Sequence, residues 1–67
     1  MKIYTNYLDS FWAIKRYLDQ NHIPNHRASD QKGADYILIP GKISPKGMRA
    51  MQEYFESEEV QCIIEGE

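Results

Sequence analysis

Sixty-seven residues with a formal net charge of -2 leave room for one small domain (1–67) and no second hydrophobic core. Hydrophobic residues make up 42% of the chain, including one Trp, five Tyr and two Phe, which excludes a highly charged, disordered tail. The single cysteine, Cys62, excludes an intramolecular disulfide and favours a reducing compartment.

No run approaches the roughly 20 apolar residues that cross a bilayer. The opening MKIYTNYLDSFW lacks the apolar stretch of a secretory signal, so a cytoplasmic location without membrane attachment is expected. Charge is unevenly spread. Residues 1–48 carry seven Lys or Arg against four Asp or Glu, an excess of three positive charges, whereas residues 49–67 set Arg49 against six glutamates, an excess of five negative charges. Seven scattered cations do not make a continuous basic face, so nucleic acid is disfavoured as a partner.

In chain order, KIYTNY reads as a first strand over about 2–6, with Ile3 and Thr5 on one face and Lys2, Tyr4 and Asn6 on the other. Asp9 or Ser10 is expected to cap a helix over 10–21, whose stripe is Phe11, Ile14, Leu18 and, at its edge, Trp12. Lys15 and Asp19 form an i,i+4 pair on its solvent side. Asn21 suits the helix end, and Ile23-Pro24 redirects the chain.

Residues 24–28 read either as a short edge strand or as an extended loop, and 29–33, SDQKG, as a turn. DYILI (35–39) is a stronger strand, with Ile37 and Ile39 pointing together and Tyr36 and Leu38 on the opposite face. Ser44 followed by Pro45 opens a second helix to about residue 56, with Met48, Met51, Tyr54 and Phe55 on its apolar face. Gly47 weakens its first turn and points to close packing or an approaching ligand. VQCIIE from 60 reads as a final strand with Val60, Cys62 and Ile64 on one face.

The order βαββαβ specifies an α+β, ferredoxin-like two-layer sandwich with two helices over a four-stranded antiparallel sheet. If 24–28 is not a strand, the alternative is a three-stranded α/β domain completed by dimerisation.

Chemistry is sparse. There is no CxxC, and Cys62 in a strand reads as a small core residue. His22, His26 and Cys62 lack compact metal-ligand spacing, so no metal or cofactor is expected. Asp30 and Asp35 flank Gly33 as turn residues, and Glu53, Glu56, Glu58 and Glu59 form a solvated helix exit, so no catalytic residue is assigned. One turn is a candidate anion site: Lys42, Ser44, Lys46, Gly47 and Arg49 surround a helix amino terminus, whose free amides and dipole favour negative charge. The Walker A pattern is absent. Trp12, Tyr17 and Tyr54 are candidates for a protein-binding face, although core or semi-buried packing is the favoured reading of Trp12.

KIYTNY, SFWAIKRYLDQN and HIP resemble the first βα unit of glutaredoxin-like proteins over residues 2–27. NYLDSFW stands where those proteins carry CxxC, so the resemblance implies a scaffold without dithiol exchange. Leu18 through Pro24, DYILI and SPKGMRAMQEYF resemble small prokaryotic signal-transducing proteins of ferredoxin-like, PII-like organisation over most of the chain. That resemblance implies a regulatory or binding role without transferable site residues.

The expectation is therefore a small regulatory or protein-interaction module, modulating or inhibiting a larger protein partner, with a homodimer as a further expectation. The alternatives are a module binding a small anion or nucleotide at the 41–49 turn, and an enzyme with a composite site in an oligomer.

Overall fold

The computed structural model describes residues 1–66. Its elements are β1 (Lys2–Tyr4), α1 (Leu8–Gln20), β2 (His26–Ser29), β3 (Asp35–Leu38), α2 (Pro45–Ser57) and β4 (Ile63–Glu65). The strands form one sheet in the order β2-β3-β1-β4, with every neighbouring pair antiparallel. This is the βαββαβ topology of a ferredoxin-like two-layer sandwich. The ambiguous segment supplies the edge strand β2, so the three-stranded alternative is not adopted.

Alternation decides which face is dry. Ile3 stands opposite Ile37 on the two central strands, and both are buried together with Ile39. The helices lay Ile14 and Leu18 from α1, and Met51 and Phe55 from α2, into the same core. Spacings of four residues keep each pair on one side of its helix. Phe11, Met48, Tyr54, Val60, Cys62 and Ile64 border that core, as the apolar stripes predict.

The start of α1 differs from expectation. Neither Asp9 nor Ser10 is its cap: the helix begins at Leu8, with Tyr7 at the N-cap and no side-chain hydrogen bond. Asp9 lies in the first turn, where its charge suits the helix dipole. Ser10 turns inward, and its hydroxyl accepts a 3.0 Å hydrogen bond from the Gln61 amide. Thr5 explains why β1 stops at Tyr4. Its hydroxyl donates to the Gln61 carbonyl and accepts from the Tyr7 amide, which draws residue 5 towards the chain entering β4. Backbone pairing of β4 likewise starts at Ile63 rather than Val60.

Other local expectations hold. Ser44 caps α2 by accepting from the Gly47 amide at 3.0 Å, and Pro45 occupies the first turn. The β2–β3 turn is organised by Asp30, whose carboxylate accepts from the Lys32 and Ala34 amides, both at 2.9 Å, while Gly33 takes φ 87°. Lys15 lies 3.8 Å from Asp19 and also donates to Asn25 at 2.7 Å, which ties the loop after α1 back to the helix.

Both helices end in the same way. After the C-caps Asn21 and Glu58, His22 and Glu59 adopt left-handed backbone angles, φ 58° and 56°. The next amides reach five residues back, Ile23 to the Leu18 carbonyl at 2.9 Å and Val60 to the Phe55 carbonyl at 2.8 Å. The His22 and Glu59 amides close the inner bonds to Asp19 and Glu56, completing two Schellman motifs. Each is followed by an apolar residue, Ile23 or Val60, returning to the core.

Glycine is the residue best suited to such a left-handed position, since a side chain there costs about 1–2 kcal/mol, partly offset by glycine's greater chain entropy, about 0.5–1 kcal/mol. Glu59→Gly is therefore expected to be more stable than Glu59→Ala by about 0.5–1 kcal/mol in urea unfolding. A Glu59→Gly variant no more stable than Glu59→Ala would show that strain at residue 59 does not exceed glycine's chain-entropy cost.

Candidate functional site

The helices cover one face of the sheet, and the strand registers define the other. One cross-strand row on the open face runs Ile63, Tyr4, Tyr36, Ala28. The next runs Glu65, Lys2, Leu38, His26. Tyr4 and Tyr36 sit side by side on the central strands, with ring centroids 5.2 Å apart. Lys2 reaches over the Tyr36 ring, its Nζ 5.0 Å from the centroid, within the range of cation–π attraction. Ile63, at the edge, is 67% exposed. Burial pushes the Tyr4 phenol up from its ordinary pKa, and the Glu65 carboxylate adds to the shift.

The helix-side rim of β2 and β3 carries a charged cluster. Arg27 donates to Asp35 at 2.6 Å, Ser29 donates to the other carboxylate oxygen at 2.7 Å, and the guanidinium lies 5.2 Å from the Phe11 ring centroid. The Arg27 and Ser29 hydrogen bonds hold the Asp35 carboxyl below the usual carboxylate range. Asp35 is thus committed to a structural ion pair.

The three aromatic candidates separate. Tyr17 and Tyr54 stack between the helices, centroids 4.6 Å apart, and both also contact Phe55. They pack against the core and help hold α1 on α2. Trp12 is 50% exposed and meets only the edge of Phe11 among the aromatic rings, at 5.1 Å. Core packing of Trp12 is therefore not adopted. Leu8, one helical turn before Trp12, is 69% exposed, so the two form an apolar ridge on the outside of α1. Arg16 and the partly exposed Lys15 follow them along the helix.

At the amino terminus of α2, Lys42, Ser44, Lys46 and Arg49 are exposed. Lys42 lines a neighbouring groove with Met1, Gly41, Ile43, Met48 and Gly66, which Lys46 and Arg49 do not. Gly47 has a packing explanation: a Cβ there would lie 3.0 Å from Ile43 Cγ2 and 3.2 Å from Ser44 Oγ. The glycine lets the cap close tightly.

Among the described residues, the two histidines and Cys62 stand apart. His22 is in the turn after α1, His26 is on the edge strand β2, and Cys62 precedes β4 at the opposite edge. Edge strands of a four-stranded sheet are separated by about 14 Å. Among the described residues no group of three or more His, Cys, Asp or Glu is arranged to hold a metal ion, and no helix is long and apolar enough to cross a membrane. A groove of about 370 Å³ lies between the β1–α1 loop and the chain entering β4, lined in part by Tyr4, Tyr7, Cys62 and Ile63. It offers aromatic and apolar surface and one thiol, which burial pushes up in pKa.

Comparison with protein-family models, with curated proteins and with solved structures gives no match. Functional inference therefore rests on this chain's own surfaces. Two were not singled out from sequence: Leu8 beside Trp12, and the pairing of Tyr4 with Tyr36. The i,i+4 spacing signals the first, and the alternation in KIYT and DYIL signals the second once β1 and β3 are known to be neighbours.

Two measurements check the chemistry of these groups. A raised pKa keeps Cys62 in its unreactive thiol form at neutral pH, so its reaction with a disulfide reagent at pH 7.5 should be several-fold slower in the folded protein than in urea. Equal rates would contradict the burial. Asp35 has a folded pKa below its unfolded value of about 3.9. Its contribution to stability is therefore present above that unfolded value and lost as the pH falls through the folded one. Asp35→Asn should lower the urea midpoint at pH 7, with the difference shrinking as the pH falls below about 3.9, the effect being small because the pair is exposed.

Proposed function

We propose that this chain is a regulatory protein-interaction module that modulates a larger protein by docking the outer ridge of α1 into it. The observation that carries the reading is the pair Leu8 and Trp12, 69% and 50% exposed, one helical turn apart. A half-exposed tryptophan forfeits burial free energy in the monomer, and tryptophan is enriched among the few interface residues whose truncation costs about 2 kcal/mol or more. Apolar anchors at i and i+4 are also the means by which a helix seats in a groove.

The charges define the partner. Arg16 stands one turn beyond Trp12 and is exposed, whereas Lys15 is held by Asp19 and Asn25, so an apolar cleft with an acidic group facing Arg16 is complementary. Regulation without chemistry of its own is in keeping with the dispersed histidines and the protonated thiol.

The test uses the full chain as bait with Trp12→Ala, Leu8→Ala and Arg16→Glu variants beside it. Because all three side chains are exposed or half-exposed, unfolding midpoints should stay within about 0.5 kcal/mol of the parent. Capture of one reproducible partner should fall about tenfold or more for the two alanine variants. Arg16→Glu should slow association more than it speeds dissociation. A partner retained equally by all three variants would place binding elsewhere and overturn the reading.

A further inference from the structure

We infer that two copies of this chain pair through the open faces of their sheets, about a two-fold axis parallel to the strands and passing between β1 and β3. This proposal is independent of the α1 ridge, which lies on the helical side of the sheet.

The strand registers carry the inference. A two-fold parallel to the strands reverses strand order without shifting the rows, so β4 of one copy lies over β2 of the other and β1 lies over β3. In the first row, Ile63 then faces Ala28 of the other copy, a large side chain against a small one, and Tyr4 faces Tyr36. In the second row, Glu65 faces His26, and Lys2 faces Leu38. Every pair occurs twice. The face is self-complementary in size at Ile63–Ala28 and in hydrogen bonding at Glu65–His26, where the carboxylate can accept from an imidazole N–H, at both rims.

The competing two-fold, perpendicular to the strands, lays each strand over itself with its rows exchanged. It sets Glu65 against Ile63 and removes the Glu65–His26 pairs, so the parallel axis is favoured. Packed sheets stand about 10 Å apart and rotate by about 30°. Contacts nearest the axis, Tyr4 and Tyr36, survive that rotation best, and longer rim side chains bridge the rest. Lys2 already lies along the face, over Tyr36 and in register beside Glu65, so its charge retains partners when covered.

Extent sets the affinity. Four strands spaced about 4.8 Å apart, two residues deep, fall well short of the roughly 800 Å² per partner of a standard interface. The dimer is accordingly weak and concentration-dependent.

Sedimentation velocity of the full chain from about 10 µM to 1 mM should show a monomer giving way to a dimer. Tyr36→Glu, which places two carboxylates at the centre, should weaken association about tenfold or more with its unfolding transition retained. Glu65→Lys should weaken it less, and adding His26→Glu to that variant should recover association by setting opposite charges against each other at both rims. Trp12→Ala should leave self-association unchanged. A chain that stays monomeric at about 1 mM, a dimer indifferent to Tyr36→Glu, failure of the double charge exchange to recover, or a dimer dissolved by Trp12→Ala would each overturn the inference. None of these results decides partner capture by the α1 ridge, which is read out separately.

Discussion

The opposition of Ile3 and Ile37 on the central strands is the contact from which the remaining placements follow. Side chains in a strand alternate faces, so a slip of one residue would carry the whole set to the other side. With both isoleucines beneath the helices, Lys2, Tyr4, Tyr36 and Leu38 must face away from them. Extending the register outwards gives Ile64 to the helix side and Ile63 and Glu65 to the open side. At the other edge Arg27 lies with the helices, where Asp35 and Phe11 receive it, and His26 and Ala28 lie on the open face. The order of surface chemistry is thus a consequence of one apolar pair.

Connections reinforce that register from outside the strands. Gln61 bonds to both Thr5 and Ser10, so the chain entering β4 is held against the β1–α1 junction before pairing begins. That attachment presents Val60 and Cys62 to the core and leaves Ile63 outward. The paired Schellman motifs act at the other end of each helix. By returning Ile23 and Val60 to the core, they convert a helix exit into a further core contact and set the chain's direction towards β2 and β4.

The architecture was legible because apolar spacing and turn residues agreed in most segments. Ile14 with Leu18, Met51 with Phe55, and Ser44-Pro45 specify two helices with little ambiguity, and SDQKG separates two extended segments. What could not be read locally depended on atoms distant in sequence. Ser10 looks like a cap until Gln61 arrives to bond its hydroxyl. Thr5 belongs to a strand until the same residue draws it away. No glycine advertises the left-handed positions, because His22 and Glu59 fill them. The surface shows the same division: aromatic content identified Trp12, Tyr17 and Tyr54, but only packing separates the outward Trp12 from two tyrosines enclosed between helices. Tyr4 and Tyr36 become one feature only when the strand order makes them neighbours.

The identity of those last two residues also bears on how so small a chain remains folded with one face of its sheet open. Two helices cover one side of four strands, and among the described residues no further layer covers the other. Isoleucine or phenylalanine at 4 and 36 would join Ile63 and Leu38 in a continuous apolar patch in water, a liability for an exposed face. Charged residues at both positions would forbid the face from ever becoming dry. Tyrosine does neither: its ring contributes apolar area and its hydroxyl keeps contact with solvent at the edge. With Lys2 drawn across Tyr36 and Glu65 beside it, the open face is balanced between exposure and contact. That balance is what a weak, reversible pairing of sheets requires, while the α1 ridge stays free on the opposite layer.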